Sequence, residues 1–434
     1  MKINISESYV DYLYEYFKGG IELPFKNNGF NISFIKYKNK YLFITRNVFP
    51  IKNIIEKKEL LPGISIDSYK KYVEKVKEYV IENSDLSEHF IWSWHNFYQT
   101  SIIFVGDLDN NLNITINKNI KPYAIVNPIF CLNYKENNKV GCAYYFTNTE
   151  DFRLYEYGGR IYMINSTVNI INQVIIKSDS IKIFNKFNNI CNPIINMNKR
   201  NLSTNSNNSY IKIYEKNWTL FKVNFENNKE SLFSFFHDFT KNGIECVDYN
   251  PITKKCKKYM IIKYPENTFP IDTNIVRFSF GSTSILFKSD TLNGYMGVGH
   301  VKIRLHKEEE KTKTDKYFYD LFLKVHYGYK KIFKNKYKPH HVSQYSFFFF
   351  LYDSDKKKFY ISDMYLPLIE YKYYFNLVFP MSIIQDNNNI IVSMGYGDYT
   401  NIFIKYTKKE IEKIPFYDVT KLDITNLKLN TISN

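Results

Sequence analysis

Cysteine is scarce in this sequence, and its few copies fit neither a zinc site nor a disulfide framework. The 434 residues include five cysteines, an odd number, and no two of them form a Cys-x-x-Cys pair. Zinc ribbons need closely spaced cysteine or histidine pairs, and small disulfide-rich domains need an even set. We therefore expect a chain that folds around its own apolar core, in a reducing compartment.

Long apolar runs are also missing. No segment approaches the roughly 18 consecutive apolar residues that a helix needs to cross a bilayer. The N-terminal stretch MKINISESYVDYLYEYFKGG lacks the uninterrupted apolar core of a signal peptide. We therefore expect no membrane span and a cytoplasmic protein.

Arginine is rare, although the net charge is +16, because lysine supplies almost all of the positive charge. A basic surface can attract nucleic acid, with binding that weakens steeply with salt. These lysines are scattered, however, and no nucleic-acid motif, P-loop or dinucleotide fingerprint accompanies them, so we do not expect nucleic acid as a partner. Guanidinium groups suit bidentate binding of an oxyanion, and the chain offers six. They belong to Arg46, Arg153, Arg160, Arg200, Arg277 and Arg304.

Aromatic residues are abundant, at 18% of the chain, and together with Val and Ile they favour strands. Most of the sequence consists of short apolar strands in pairs, each pair joined by a turn of Asn, Lys, Gly or Asp. Such hairpins recur at intervals of roughly 40–70 residues, which favours a propeller or a large sandwich over an α/β fold. They lie at 31–47, 101–117, 152–165, 221–236, 282–303, 347–367 and 379–398.

A few segments break this pattern. Residues 66–83 carry apolar side chains at helical spacing and predict a helix within an insertion at about 54–83. Residues 6–17 predict a shorter helix, and the basic tract 304–341 predicts a surface insertion that is partly helical. The expected organisation is a helical segment at 1–29, the repeated hairpins at 30–405 and a C-terminal tail at 406–434.

Side chains capable of chemistry stand where several of these hairpins begin or end. In a propeller the inner strand of each blade lines a central channel, so such residues can meet at one channel mouth. Together they would form a pocket for a polyhydroxylated substrate beside an anion. They are Arg46; Glu150, Asp151 and Arg153; Lys216, Asn217 and Trp218; Ser282, Thr283 and His300; and Tyr396 and Asp398.

Taken in order, these segments resemble one known family. The stretches YLFITRN, EDFRLYEYGGRIYMI, EKNWTLF, GSTSILF with GYMGVGHVK, and IIVSMGYGD resemble the five-bladed β-propellers of glycoside hydrolase family 130. That family includes β-mannoside phosphorylases and β-1,2-mannosyltransferases. The resemblance spans about residues 30–405 and implies an all-β fold, a five-bladed β-propeller with a helical insertion near the N-terminus. Phe152 replaces the proline of the family's Glu-Asp-Pro-Arg turn, and the last motif has a shorter gap.

The resemblance also implies a reaction, which is inverting glycosyl transfer by single displacement. Asp151 matches the family's general acid, which protonates the glycosidic oxygen while phosphate attacks the anomeric carbon from the opposite face. An ordinary inverting glycosidase needs a second carboxylate to activate water. Phosphate is already a nucleophile, so one carboxylate and a cationic cradle suffice.

The same resemblance implies the other site residues and the partners. Neither a metal nor another cofactor is required, and the partners are a carbohydrate acceptor and a sugar phosphate or nucleotide sugar. The implied phosphate-binding residues are Arg46, Arg153, Lys216 and His300. The implied sugar-binding residues are Glu150, Asn217, Trp218, Tyr396 and Asp398.

Two alternatives remain open at this point. The charges at 150–153 could simply begin an ordinary strand, with Arg153 bridging to Glu150 or Asp398. The competing function is a propeller that has lost its chemistry and binds glycan or protein partners, and Phe152 motivates it. Release of phosphate or nucleotide from a sugar donor would distinguish an enzyme from a binding module.

Overall fold

The protein folds as a five-bladed β-propeller. A computed structural model describes residues 1–5, 29–50, 97–126, 132–136, 139–143, 151–165, 170–188, 217–265, 276–304, 313–332, 343–368, 377–397 and 400–433. Within these ranges five sheets of four or more strands surround one axis, and a separate two-stranded hairpin lies between the first two sheets along the chain. The predicted propeller is therefore confirmed. The helices predicted at 6–17 and 66–83, and the insertion at about 54–83, lie outside the described residues.

The first three blades are built in chain order. The chain opens with β1 (Lys2–Ile5). Blade one contains β2 (Phe30–Tyr37), β3 (Lys40–Pro50), β4 (Phe97–Leu108), β5 (Ile114–Ile116) and β6 (Tyr123–Val126). The separate hairpin is β7 (Leu132–Glu136) and β8 (Lys139–Ala143). Blade two contains β9 (Arg153–Tyr157), β10 (Arg160–Ile164), β11 (Ile170–Ile176) and β12 (Ile181–Asn188). Blade three contains β13 (Thr219–Glu226), β14 (Lys229–Thr240), β15 (Gly243–Asn250) and β16 (Lys255–Lys263).

The last two blades are followed by a short C-terminal segment. Blade four contains β17 (Val276–Lys288), β18 (Asn293–Arg304), β19 (Ser343–Asp353) and β20 (Lys358–Leu368), with helix α1 (Lys313–Ile332) between β18 and β19. Blade five contains β21 (Val378–Asp386), β22 (Asn389–Tyr396) and β23 (Thr400–Thr407). The segment after it contains α2 (Lys408–Glu412), β24 (Phe416–Asp418), a 3₁₀ turn (Ile424–Asn426) and β25 (Leu429–Ser433).

Both chain ends complete blades that they do not begin. β1 pairs antiparallel with β23, so the outermost strand of blade five comes from the N-terminus. At the other end, β24 and β25 pair with β20 at the outer side of blade four. The buried carboxylate of Asp363 accepts a hydrogen bond from the Lys428 amide at 3.0 Å, which fixes the start of β25. Blades four and five are thus closed by strands distant in sequence.

Tight turns explain why the hairpins form where the sequence predicts them. The two-residue connections Gly158-Gly159 and Asn227-Asn228 both have positive φ at both positions. This is the geometry of the turn that matches the twist of antiparallel strands, and glycine and asparagine adopt it readily. These turns lie within the hairpins predicted at 152–165 and 221–236.

Aromatic side chains fill the wedges between blades. Phe236 of blade three stacks on Phe221 with ring centroids 4.1 Å apart, and on Phe280 of blade four at 5.4 Å. All three belong to one apolar cluster that spans blades three and four. Such pairs add stabilisation beyond the area that they bury, so the high aromatic content serves the joints of the propeller.

Cysteine chemistry differs in part from the expectation. Cys256 in β16 is disulfide-bonded, whereas the odd number and irregular spacing of the cysteines gave no sign of a pair. Cys246 in β15 is free, and burial raises the pKa of its thiol. Within the described ranges, no cluster of three or more His, Cys, Asp or Glu residues could hold a metal ion, and no helix has the length and apolarity needed to cross a membrane.

Candidate active site

The candidate site lies at one end of the channel, which we call the mouth, near the first residues of β2, β9, β13 and β21 and beside Gly281 within β17. The inner strands β2, β9, β13, β17 and β21 contact one another around the channel. In the first three blades a residue with positive φ stands at the start of the inner strand: Asn31 at 54°, Asp151 at 50° and Asn217 at 70°. Asn and Asp tolerate this left-handed backbone better than other residues with a side chain.

Deeper in the channel, hydroxyl side chains tie blade one to blades two and five, and blade four to blades three and five. We call Ser33, Thr219, Thr283 and Ser382 the hydroxyl belt, and all four are buried. Because buried polar groups without partners are costly, these bonds fix how far each inner strand extends towards the mouth. They run from Leu154 N to Ser33 Oγ at 3.0 Å, between Ser33 Oγ and Ser382 Oγ at 2.7 Å, from Ile383 N to Thr283 Oγ1 at 3.0 Å, and from Thr219 Oγ1 to Ser282 O at 2.7 Å.

Asp151 is the carboxylate of the mouth, and its surroundings hold it on one side. Arg46 Nη1 lies 3.3 Å from Asp151 Oδ1, and Asn31 Nδ2 donates to the same oxygen at 2.7 Å. The Arg46 guanidinium also lies over the Phe30 ring, 5.0 Å from its centre, in a cation–π contact. The side chains of Arg46 and Asp151 are only 9% and 8% exposed. Both contacts fall on Oδ1, and within the described residues Oδ2 receives no hydrogen bond.

Arg153 joins four blades. From β9 its Nε donates to the Gly281 carbonyl of blade four, and its Nη2 donates to Asn217 Oδ1 of blade three at 3.2 Å. Its Cζ lies 5.8 Å from the centre of the Phe379 ring in blade five. The side chain is almost fully buried, so Arg153 brings a positive charge to the mouth while holding the channel wall together. The bridge to Glu150 or Asp398 considered for Arg153 stays a prediction, because both carboxylates lie outside the described residues.

His300 of β18 stands beside this arginine. Its ring lies 5.1 Å from the Phe379 ring and stacks on Tyr345 at 5.8 Å. The imidazole Nδ1 is buried and lacks a hydrogen-bond partner in the part of the chain that the structure describes. A Cβ placed on Gly281 would lie 3.2 Å from that nitrogen, so glycine gives the imidazole its room. An unpartnered buried nitrogen next to a buried arginine is an arrangement suited to a bound anion.

Electrostatics make His300 neutral. Burial, followed by the positive charges of Arg277, Arg153 and Lys302, lowers its pKa from 6.5 to about 3. The imidazole was expected to join a cationic phosphate cradle. As a neutral ring at pH 7 it can still donate one N–H to an anion, but it adds no charge of its own.

The remaining predicted residues fall into two groups. Glu150, Lys216 and Asp398 lie outside the described residues. Trp218 is 2% exposed and packs edge-on against His237 at 4.7 Å, and Tyr396 is fully buried in the apolar cluster of blades four and five. Both rings therefore occupy core positions, and direct contact of either with a sugar stays a prediction.

Sequence reasoning missed the residues that orient the acid. Asn31 is the most important, because it donates directly to Asp151. A signal was present: Asn31-Ile32-Ser33, Asp151-Phe152-Arg153 and Asn217-Trp218-Thr219 hold equivalent places at their inner strands, and the first and third of these triplets begin with asparagine. Phe379, which lies between Arg153 and His300, had no comparable signal.

Comparison with known proteins gave matches among solved structures alone. No family model and no curated protein matches the sequence. A β-1,2-mannobiose phosphorylase from Listeria innocua, solved with β-1,2-mannobiose, is 14% identical with a TM-score of 0.44, over 95% of this chain and 98% of that chain. A mannose phosphorylase from Leishmania mexicana, solved with a phosphate ion, is 10% identical with a TM-score of 0.36, over 93% and 89%. A GDP-Man-dependent mannosyltransferase from Leishmania mexicana is 9% identical with a TM-score of 0.39, over the same shares.

These structures are named as phosphorylases and a mannosyltransferase that act on mannose or mannosides. Their identities and TM-scores are too low to support a function by themselves. We therefore base the function on the residues of the mouth.

Proposed function

We propose that this protein is an inverting glycosyl-transferring enzyme of the β-mannoside phosphorylase or β-mannosyltransferase type, with Asp151 as its general acid and base. The observation that carries the proposal is the geometry of the Asp151 carboxylate. Arg46 and Asn31 hold one oxygen, and the other has no hydrogen bond from the described residues. A carboxylate fixed on one side presents its second oxygen in a defined direction, as proton transfer to a bound substrate requires.

In the direction of phosphorolysis, Asp151 gives its proton to the glycosidic oxygen, through a sugar hydroxyl in the manner that the resemblance implies. Phosphate attacks the anomeric carbon from the opposite face, so a β-mannoside and phosphate become an α-mannosyl phosphate and a free sugar. In the synthetic direction Asp151 accepts the proton of the acceptor hydroxyl, and phosphate or a nucleoside diphosphate leaves. Arg46 and Asn31 keep the carboxylate oriented in both directions.

The anion in this scheme sits among Arg153, His300 and the predicted Lys216. A guanidinium as buried as that of Arg153 acts on a bound anion through a medium of low dielectric constant, where its charge counts for more than in water. The Nδ1 of His300, which has no hydrogen-bond partner among the described residues, supplies one hydrogen bond. Asn217, which is partly exposed, and the predicted Glu150 and Asp398 would bind sugar hydroxyls.

Donor specificity is tested by incubating the protein with α-mannose 1-phosphate or GDP-mannose and a panel of sugar acceptors, and by measuring released phosphate or GDP. We expect release from one donor and a β-linked product. The Asp151→Asn variant should lose this activity and stay folded. Asp386→Asn is the matched control, because Asp386 also pairs with a cation, Lys36, and accepts from Tyr41 at 2.8 Å, but at the opposite end of β21.

The non-catalytic alternative makes a different prediction for the same variants. A glycan-binding propeller would release nothing from any donor, and wild type and Asp151→Asn would bind mannosides with the same affinity. Turnover by wild type that is lost in Asp151→Asn excludes this alternative.

A further inference from the structure

Blade five grips the segment of blade one that carries Asn31. The Ile32 amide donates to Asn401 Oδ1 at 2.8 Å, and Asn401 Nδ2 donates to the Gly29 carbonyl at 2.8 Å. Ser393 Oγ donates to the Ile32 carbonyl at 2.6 Å. Ser393 and Asn401 are both fully buried. We call these two residues the bracket, because together they hold the backbone on both sides of Asn31.

Gly395, which lies opposite Asn401 in the β22–β23 ladder, makes room for the Asn31 side chain. A Cβ built on Gly395 would lie 1.7 Å from Asn31 Oδ1 and 2.9 Å from its Cγ. No real Cβ approaches other atoms so closely, so any larger residue would push the Asn31 amide aside. Gly395, the first glycine of the segment SMGYGD, thus leaves space for the Asn31 side chain. The sequence motif drew attention only to Tyr396 and Asp398 in this segment.

The gripped segment has a backbone that needs outside support. Gly29 and Asn31 both have positive φ, at 61° and 54°. A left-handed backbone is unfavourable for a residue with a side chain, although less so for asparagine than for most others. The bracket bonds offset this cost, and they leave the Asn31 amide where its Nδ2 reaches Asp151 Oδ1.

We propose that Ser393, Gly395 and Asn401 are positioning residues, which act through Asn31 on the Asp151 carboxylate. Closure of blade five against blade one then sets the direction of the acid, in addition to completing the ring. This inference rests on the proposed function, since it concerns the acid of that reaction. None of the three residues contacts Asp151 in a described hydrogen bond, so their effect passes through the blade-one segment.

Ser393→Ala tests the proposal, with Ser362→Ala as its matched control. Ser362 is also a fully buried serine on a blade strand, but its Oγ accepts from Phe349 N at 2.9 Å and donates to the Asp363 carbonyl, all within blade four. Both changes remove one buried hydroxyl, so both should lower Tm. We expect Ser393→Ala alone to lower kcat, by about 10-fold or more with little change in KM, because small displacements of a catalytic group have large effects on rate.

Two results separate this proposal from the proposed function. If wild type turns over no donor, the proposed function fails. A crystal structure of Ser393→Ala then tests whether Ser393 positions Asn31 against Asp151. We expect Asn31 Nδ2 to leave hydrogen-bond distance of Asp151 Oδ1 in that variant, and an unchanged contact would overturn the proposal. If wild type is active, equal kcat for Ser393→Ala and Ser362→Ala would overturn it. Gly395→Ala should show the same kcat loss where it folds, and Ser393→Ala, the milder change, decides the matter where it does not.

Discussion

Replacing His300 by asparagine should make the free energy of unfolding less sensitive to acid. In the folded protein, burial and three nearby cations lower the pKa of His300 from 6.5 to about 3. In the unfolded chain His300 binds a proton near pH 6.5, whereas in the folded protein it stays neutral until the pH approaches 3. The contribution of neutral His300 to stability is therefore complete above pH 6.5 and is lost as the pH falls towards 3.

The expected size follows from this shift. One proton bound only by the unfolded state lowers stability by about 1.4 kcal/mol for each pH unit below the unfolded pKa. Between pH 6.5 and pH 5 the loss amounts to about 2 kcal/mol. Asparagine does not titrate, so the difference in stability between wild type and His300→Asn should move by this amount in favour of the variant.

Urea unfolding followed by tryptophan fluorescence at pH 8, 7, 6 and 5 measures the effect. The difference between the two proteins should be constant from pH 8 to 7 and then change steadily below pH 6.5. Parallel curves over the whole range would show that the imidazole accepts protons freely in the folded state. The picture of a buried neutral histidine between Tyr345 and Phe379 would then be wrong.

Three further predictions concern the remaining ties of the propeller. The Glu230 carboxylate accepts a hydrogen bond from Tyr162 at 2.6 Å and pairs with Arg160 at 2.7 Å and with Lys186. Glu230→Gln should lower the free energy of unfolding in urea at pH 7 by about 2 kcal/mol, less than for a fully buried ion pair, because Arg160 and Lys186 are partly exposed. Burial alone would raise the pKa of Glu230, but Lys186, Tyr162 and Arg160 outweigh burial and lower the pKa to about 2. The stability that ionised Glu230 contributes is therefore complete above pH 4.5 and is lost as the pH falls towards 2. If the difference in unfolding free energy between wild type and Glu230→Gln persisted near pH 2, the ionic role of Glu230 would be contradicted. Thr283→Val should cost about 1–3 kcal/mol, because it leaves the buried Ile383 amide without its acceptor. Thr240→Val, which removes a hydroxyl from a half-buried turn, should cost less in the same assay, and equal losses would mean that the hydroxyl belt does not join blades four and five as described.

Much of the fold was predictable because it is encoded locally. Apolar strands separated by a Gly-Gly or Asn-Asn turn favour a hairpin, and β9–β10 and β13–β14 show this directly. The closures were not predictable, since β1 pairs with β23 and β25 with β20 across most of the chain or across a blade. The sequences of β1 (KINI) and β25 (LNTIS) contain no local pattern that predicts which strand each of them pairs with.

The candidate site divides in the same way. Asp151 and Arg46 were predicted from strand ends and the motif resemblance, and the structure places them in contact. Asn31 was missed because its role arises from a left-handed backbone and from the grip of Asn401, which is hundreds of residues away in the chain. The neutrality of His300 was missed because it depends on burial and on surrounding cations, which the segment GVGHVK does not reveal.

The most direct test of the central claim is a comparison of wild type and Asp151→Asn with α-mannose 1-phosphate and a sugar acceptor, followed by NMR of the anomeric protons. We expect wild type to release phosphate and to build a β-linked product with inversion, and Asp151→Asn to do neither while unfolding at a similar temperature. Turnover by Asp151→Asn at the wild-type rate, or a product with retained α configuration, would contradict the assignment of Asp151 as the acid of an inverting transfer.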